Sequence, residues 1–346
     1  MKKIESSEAR RYALRSDRRK SGGLSTPAKV LIILLAVLIL AAAVLGIYMV
    51  SYTKGLMKDP SSAFDTGNKD SNIGVDEEGN LTGKCNILFL GIDSNSEREG
   101  EHRGWHSDVM MLCTVDFDKD TIELLSVPRD MWVTVPKEMD ESGNVTKSVS
   151  QRINTAYNFG GGPNGRGALF AKKAFEDFIN MDGKFNVKID YYMSIDMDGI
   201  YKLADDLGGV EVVMDRDVKG VGKKGETVTI TTDNIDPYLR TRKGAGDDFG
   251  RVSRQQDYIL AVAKKLKGMD TVSAATRLYG TMSKYTKTDL SLDQCVALAG
   301  FVKNRLDLDS MSKYTVPSKG FTTDGGAAVL APVEDEFEQY MKEHFG

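Results

Sequence analysis

Residues 86–91 read NILFLG, a nearly continuous apolar run. A stretch so short and so apolar predicts a strand buried on both faces. Working outward toward the C-terminus, Val109–Phe117 and Thr121–Val127 are two further strand candidates. Asp118-Lys119-Asp120 between them is a turn-type composition suited to a hairpin. Ala168–Ile179 then places Leu169, Phe170, Ala174, Phe175 and Phe178 at helical spacing. Tyr191–Ile195 reads as a strand, Gly199–Leu207 as a helix closed by Gly208-Gly209, and Val210–Met214 as the next strand. Helices are expected over Val252–Lys267, Thr271–Tyr285 and Ser291–Asn304, the last opening with Ser291 and Gln294 at capping-box spacing. Strands alternating with helices predict an α/β fold with a mixed central sheet covered on both faces.

Toward the N-terminus the character changes. Residues 51–84 are rich in Gly, Ser, Asn and Asp and read as a stalk, so the folded domain is expected over 85–346. Val30–Val50 (VLIILLAVLILAAAVLGIYMV) carries no charge over 21 residues. At about 1.5 Å per residue it spans the roughly 30 Å hydrocarbon core, and it exceeds the ~7–15 residues of a cleavable signal. Lys2, Lys3, Arg10, Arg11, Arg15, Arg18, Arg19, Lys20 and Lys29 all precede it. The positive-inside rule therefore predicts a cytoplasmic tail over 1–29, a single transmembrane anchor and an extracellular domain in the cell membrane.

With 41% hydrophobic and 28% charged residues, wholesale disorder is excluded. The net charge of −4 hides an asymmetry: the tail is basic, and the remainder is acidic. An acidic body argues against nucleic acid as a partner, so any anion must be met by a local cluster. Cys85, Cys113 and Cys295 are an odd set, which excludes a closed disulfide framework, and the lack of a CxxC argues against a structural zinc site. Cys85 and Cys113 fall on neighbouring predicted strands but are not expected to pair. Gly160, Gly162 and Gly165 match a dinucleotide fingerprint only literally, and a bend before the Ala168 helix explains them better. There is no GxxxxGK[ST], HExxH or GxSxG, and His102, His106 and His344 are the whole histidine complement. Asn144-Val145-Thr146 is a chance glycosylation triplet at a turn. The chemistry is left to carboxylates and arginines.

Asp93 ends the first apolar strand, and Asp108 opens the next. If the two strands are antiparallel neighbours, both carboxylates meet at one sheet edge, where they repel unless a cation lies between them. Mg²⁺ suits such a sparse site because it keeps waters and shares substrate phosphates. Taken singly, an Asp at a strand end is more often a turn former. Arg240, Arg242, Arg251 and Arg254 fall within fifteen residues. Arg251, Arg254 and Gln255 would share one helix face near its N-terminus, an arrangement suited to holding a phosphate. The plainer alternative is surface pairing with Asp247 and Asp248, which contributes only about 0–1 kcal/mol per pair. Arg129, after the third strand, is a possible further contributor or a partner of Asp130.

The chain resembles the LytR-CpsA-Psr family of cell-wall glycopolymer ligases. The matching stretches are NILFLGIDS (86–94), HSDVMMLCTVD (106–116), LLSVPRDMWVTVP (124–136), RINTAYNFGGGP (152–163), IDYYMSIDMDGIYKLADDLGGVEV (189–212) and YLRTRKGAGDDFGRVSRQQ (238–256). The resemblance implies an α-β-α domain enclosing an apolar tunnel for a polyprenyl chain. It also implies a Mg²⁺-dependent phosphotransferase moving a glycopolymer, of teichoic acid or capsule type, from polyprenyl pyrophosphate to peptidoglycan. By motif position, Asp93 and Asp108 would be the Mg²⁺ carboxylates, and Asp93 a candidate base. Arg129, Arg240, Arg242, Arg251, Arg254 and Gln255 would contact or order the pyrophosphate, with Asp248 orienting the arginines or contributing to metal binding. His106 stands where the family commonly has Arg, and Arg103 is the nearest substitute for its fork. A hydrolase of the same pyrophosphate, and a noncatalytic lipid-binding or regulatory protein of the envelope, are the competing readings.

Overall fold

The computed structural model describes residues 63–64, 72–78, 80–93, 104–241, 250–251, 254, 257–258, 261, 265, 284–291, 294, 297–298, 301, 305–306 and 312–346. The expected tail and anchor, Arg103, Arg242, Asp247, Asp248, Gln255 and Cys295 lie outside the described residues, as does most of the three later helices.

The strands are β1 (Ile73–Val75), β2 (Leu81–Ile92), β3 (Ser107–Asp116), β4 (Thr121–Ser126), β5 (Trp132–Met139), β6 (Val145–Arg152), β7 (Tyr191–Asp196), β8 (Val210–Val213), β9 (Thr227–Ile230), β10 (Thr286–Thr288), β11 (Ser312–Thr315), β12 (Ser318–Thr322) and β13 (Ala328–Pro332). The helices named here are α1 (Ala156–Phe159), α2 (Gly167–Ile179), α3 (Met197–Asp206), α4 (Ile235–Arg240) and α5 (Glu334–Phe345). The main sheet runs β10-β7-β2-β3-β4-β11, with β1 added beside β2. It is mixed: β2 is parallel to β7 and antiparallel to β3, and β4 is antiparallel to β3 and parallel to β11.

The period-2 alternation of the strands explains the layers. Cys85, Ile87 and Phe89 of β2 point to one core with Met111, Cys113 and Val115 of β3, under α3 and α4. Leu88, Leu90 and Ile92 point to the other, with Met110 and Leu112, under α2 and α5. A sheet covered on both faces needs apolar residues at consecutive positions, which is why NILFLG shows no alternation.

The start of the folded part and the place of one strand differ from the sequence reading. The folded part begins before Cys85, because β1 pairs with Leu81–Gly83, and Phe64, Ile73 and Leu81 are buried. Polar composition concealed those few anchoring apolar residues. Val210–Val213 does not join the main sheet but pairs with β9 in a separate hairpin. Two further hairpins, β5–β6 and β12–β13, stand outside it as well. Cys85 and Cys113 are buried free thiols on adjacent strands, and burial pushes both thiols well up from their usual pKa. The capping box forms as expected: Ser291 N donates to Gln294 Oε1 at 2.8 Å, and Gln294 N donates to Ser291 Oγ at 3.2 Å.

Candidate active site

The site lies at one edge of the sheet, where β2 ends, β3 begins and β4 has just ended. Opposite Gly91 the partner is Val109, but opposite Ile92 it is Ser107. The register slips by one residue, which leaves Asp108 as the extra residue of a bulge. A bulge bends the strand and re-aims the side chain it carries. The ladder continues past it, with Asp93 N donating to His106 O at 2.8 Å. Asp93 and Asp108 thus come to the same edge, as the antiparallel pairing required.

β4 ends at Ser126, and after Pro128 the chain turns through Arg129, with Met131 N donating to Pro128 O at 3.0 Å. Arg129 Nη1 donates to Asp108 Oδ2 as an ion pair. Its Nε lies 3.5 Å from Asp130 Oδ2, and Asp130 Oδ1 in turn lies 3.0 Å from Arg152 Nε. From the same loop, Asn154 Nδ2 donates to Asp108 Oδ1 at 3.3 Å. Arg251 Nη1 lies 4.0 Å from Asp108 Oδ2. On the opposite flank, an Arg240 terminal nitrogen sits 3.3 Å from Asp93 Oδ1. Burial raises the Asp108 pKa and the Asp93 charge adds to this, while Arg129, Arg251 and Asn154 pull it back.

The structure therefore gathers Asp93, Asp108, Arg129, Arg240 and Arg251. Arg254 departs from the expected two-arginine clamp. It is fully buried, its Nε donates to Tyr238 O at 2.6 Å, and its Nη2 donates to Thr241 O. Those carbonyls terminate α4, so Arg254 ties down the segment that carries Arg240. Positions 251 and 254 subtend about 300° on a helix, and that 60° offset is enough to separate two neighbouring guanidinium groups. The His106 backbone enters the ladder beside Asp93, and Trp105 next to it packs on Gly162.

Asn154 and Arg152 were missed by sequence reasoning, although both stand inside the matching stretch RINTAYNFGGGP, whereas Asp130 is the partner of Arg129 that the sequence had offered. Their placement depends on the Ile153 N to Met131 O bond at 2.8 Å, which lays this stretch against the Arg129 turn.

Among the described residues, no group of three or more His, Cys, Asp and Glu could hold a metal ion. Two hard carboxylates remain, and beside Asp108 the buried Asn154 Oδ1 receives no hydrogen bond from any described residue. That donor set fits a cation which takes one or two carboxylates and completes its shell with water and phosphate oxygens. The arginines suit a diphosphate, since each guanidinium edge can pair two phosphate oxygens.

The model of the LytR_cpsA_psr family matches residues 47–345. A polyisoprenyl-teichoic acid–peptidoglycan teichoic acid transferase TagU of Halalkalibacterium halodurans is 31% identical over 252 residues, covering 72% of this chain and 75% of that protein. The crystal structure of Bacillus subtilis TagV superposes with a TM-score of 0.57 at 22% identity, over 75% of this chain and 95% of that one. A structure of TagT bound to LIIa-WTA gives 0.55 at 22% identity, over 75% and 89%.

Proposed function

The chain belongs to the LytR-CpsA-Psr family, and on that premise we propose that it is a transferase joining a polyprenyl-pyrophosphate-linked glycopolymer to peptidoglycan. The observation that carries this reading is the sheet edge where Asp93 and Asp108 meet Arg129, Arg240 and Arg251. The relatives named as teichoic acid transferases support the same substrate class.

Phosphoryl transfer asks a protein for position and charge more than for a covalent group. Arg129, Arg240 and Arg251 would bind the diphosphate oxygens and hold the phosphorus open to an in-line hydroxyl. The same groups stabilise the charge that gathers on the departing polyprenyl phosphate. Asp93, at the rim, would take the proton from the acceptor hydroxyl. Mg²⁺ is part of the proposal: held by Asp93 and Asp108, with Asn154 beside them, it would neutralise phosphate charge when bound. If Asp93 is a metal ligand, it serves as base only through an oxygen not engaged by the metal. Val30–Val50 would anchor the chain, with its basic tail inside and its domain facing the wall.

Incubating the purified protein with a short polyprenyl-pyrophosphate glycan and peptidoglycan oligomers tests the reaction. Mass spectrometry should find glycan phosphodiester-linked to the oligomer. Hydrolysed glycan alone would favour a hydrolase, and unchanged donor a noncatalytic binder. Chelator should abolish transfer and Mg²⁺ restore it. Protease added to protoplasts should digest the domain and spare the tail; a protected domain would refute the topology.

A further inference from the structure

Arg240 is the last residue of α4, and its long side chain needs a restraint to stay over Asp93. Its Nε sits 3.1 Å from Asp236 Oδ1, one turn earlier on the same helix, while a terminal nitrogen reaches Asp93. The same Asp236 Oδ1 accepts the Tyr201 hydroxyl. Tyr201 stands on α3, packed against the core beneath the sheet. Tyr201, Asp236, Arg240 and Asp93 therefore form one line from that core to the reactive edge.

We propose that Asp236, steadied by Tyr201, is a positioning residue that aims the Arg240 guanidinium at Asp93 and at the phosphate to be transferred. The proposal rests on the transferase reading above. An isolated pair four residues apart on a helix surface is weak, and side-chain exposures of 58% for Asp236 and 32% for Arg240 would ordinarily make this one negligible. The shared oxygen changes that. Hydroxyl and guanidinium converge on Oδ1, so the carboxylate cannot rotate away without losing both. Burial, and the bond to Asp236, hold the phenolic proton on Tyr201, which stays a donor. With its Nε held against Asp236, Arg240 directs a buried terminal nitrogen toward Asp93. Without Asp236 the fork would be free to close on both oxygens of Asp93, neutralising the carboxylate that the reaction uses.

The test uses the full chain in detergent. Asp236→Ala should lower kcat for transfer about 10- to 30-fold, below the ~100-fold cost of an ångström-scale misplacement, with KM for the lipid-linked donor nearly unchanged. Asp236→Asn keeps an oxygen for the Tyr201 hydroxyl but not the charge paired with Arg240, and should recover only part of the loss. Tyr201→Phe, which leaves the packing intact, should give a smaller fall in kcat. In an Arg240→Ala background, Asp236→Ala should add nothing. A kcat within twofold of wild type for Asp236→Ala, or an effect confined to KM, would overturn the proposal, as would full additivity with Arg240→Ala. A second readout does not need activity: the ¹⁵N-resolved Arg240 Nε–H, assigned by Arg240→Lys, should exchange with water several-fold faster in Asp236→Ala. Unchanged exchange overturns the relay. Faster exchange in a protein whose wild type never transfers supports the relay and counts against the transferase reading.

Discussion

Replacing Arg254 by alanine should destabilise the domain before it affects any chemistry. The guanidinium is fully buried and donates to the carbonyls of Tyr238 and Thr241. α4 ends at Arg240 and its cap residue Thr241 is extended, with φ −63° and ψ 129°. The last carbonyls of a helix have no intrahelical donor, so Arg254 supplies what α4 cannot. Alanine strands two carbonyls, at roughly 1–3 kcal/mol each, and removes a buried aliphatic stem as well. Against this, burial and the nearby Arg216 already pull the Arg254 pKa down, so deleting the cation recovers some desolvation. The net loss should be about 3–4 kcal/mol, a fall in Tm of roughly 6–16 °C for a domain of this size. Thermal unfolding followed by circular dichroism measures it. Arg254→Met keeps most of the stem and should lose less, and Arg254→Lys, which can reach one carbonyl, less again. An alanine variant melting within about 2 °C of wild type would refute the tie and return Arg254 to the phosphate clamp.

Three further outcomes follow from the geometry. Asp108→Asn should reduce transfer by at least ~100-fold, the scale for losing a preorganised charged group. Because burial raises the Asp108 pKa in the fold, its contribution to stability is greatest when protonated and is lost as pH rises through the folded value. The neutral amide should therefore not lower Tm at pH 7, and a large fall would contradict this. Glu338, held between Lys184 and Lys342, has its pKa pulled down to about 2, so its stabilisation is present above its usual 4.5 and is lost as pH falls toward 2. Glu338→Gln should flatten the urea midpoint across that window, and an unchanged acid limb would count against the bridge. Gly162→Ala should cost about 1–3 kcal/mol and shift tryptophan emission, since φ is 66° and a Cβ would lie 2.4 Å from the Trp105 ring. Wild-type stability would show that the loop repacks.

The central strands were legible because burial on both faces writes an unbroken apolar run, as in NILFLG, and because Asp118-Lys119-Asp120 can hardly be anything but a turn. Gly208-Gly209 closed α3 as read, with φ of 65° and 83° that a side chain rarely adopts. That Asp93 and Asp108 meet at one sheet edge could be read in advance because strand ends are where polar residues interrupt an apolar pattern. Local pattern could not decide what depends on register or on contacts distant in sequence. The slip between Gly91 and Ile92, which turns Asp108 into a bulge residue, follows from how two strands pair. Asn154 and Arg152 reach the site only because residues 152–154 fold back on the turn at 129–131. Arg251 and Arg254 looked equivalent in sequence, three residues apart and alike in chemistry. The carbonyl ends of α4 and the carboxylate of Asp108 lie in different directions from that helix, and only the packed fold assigns one guanidinium to each.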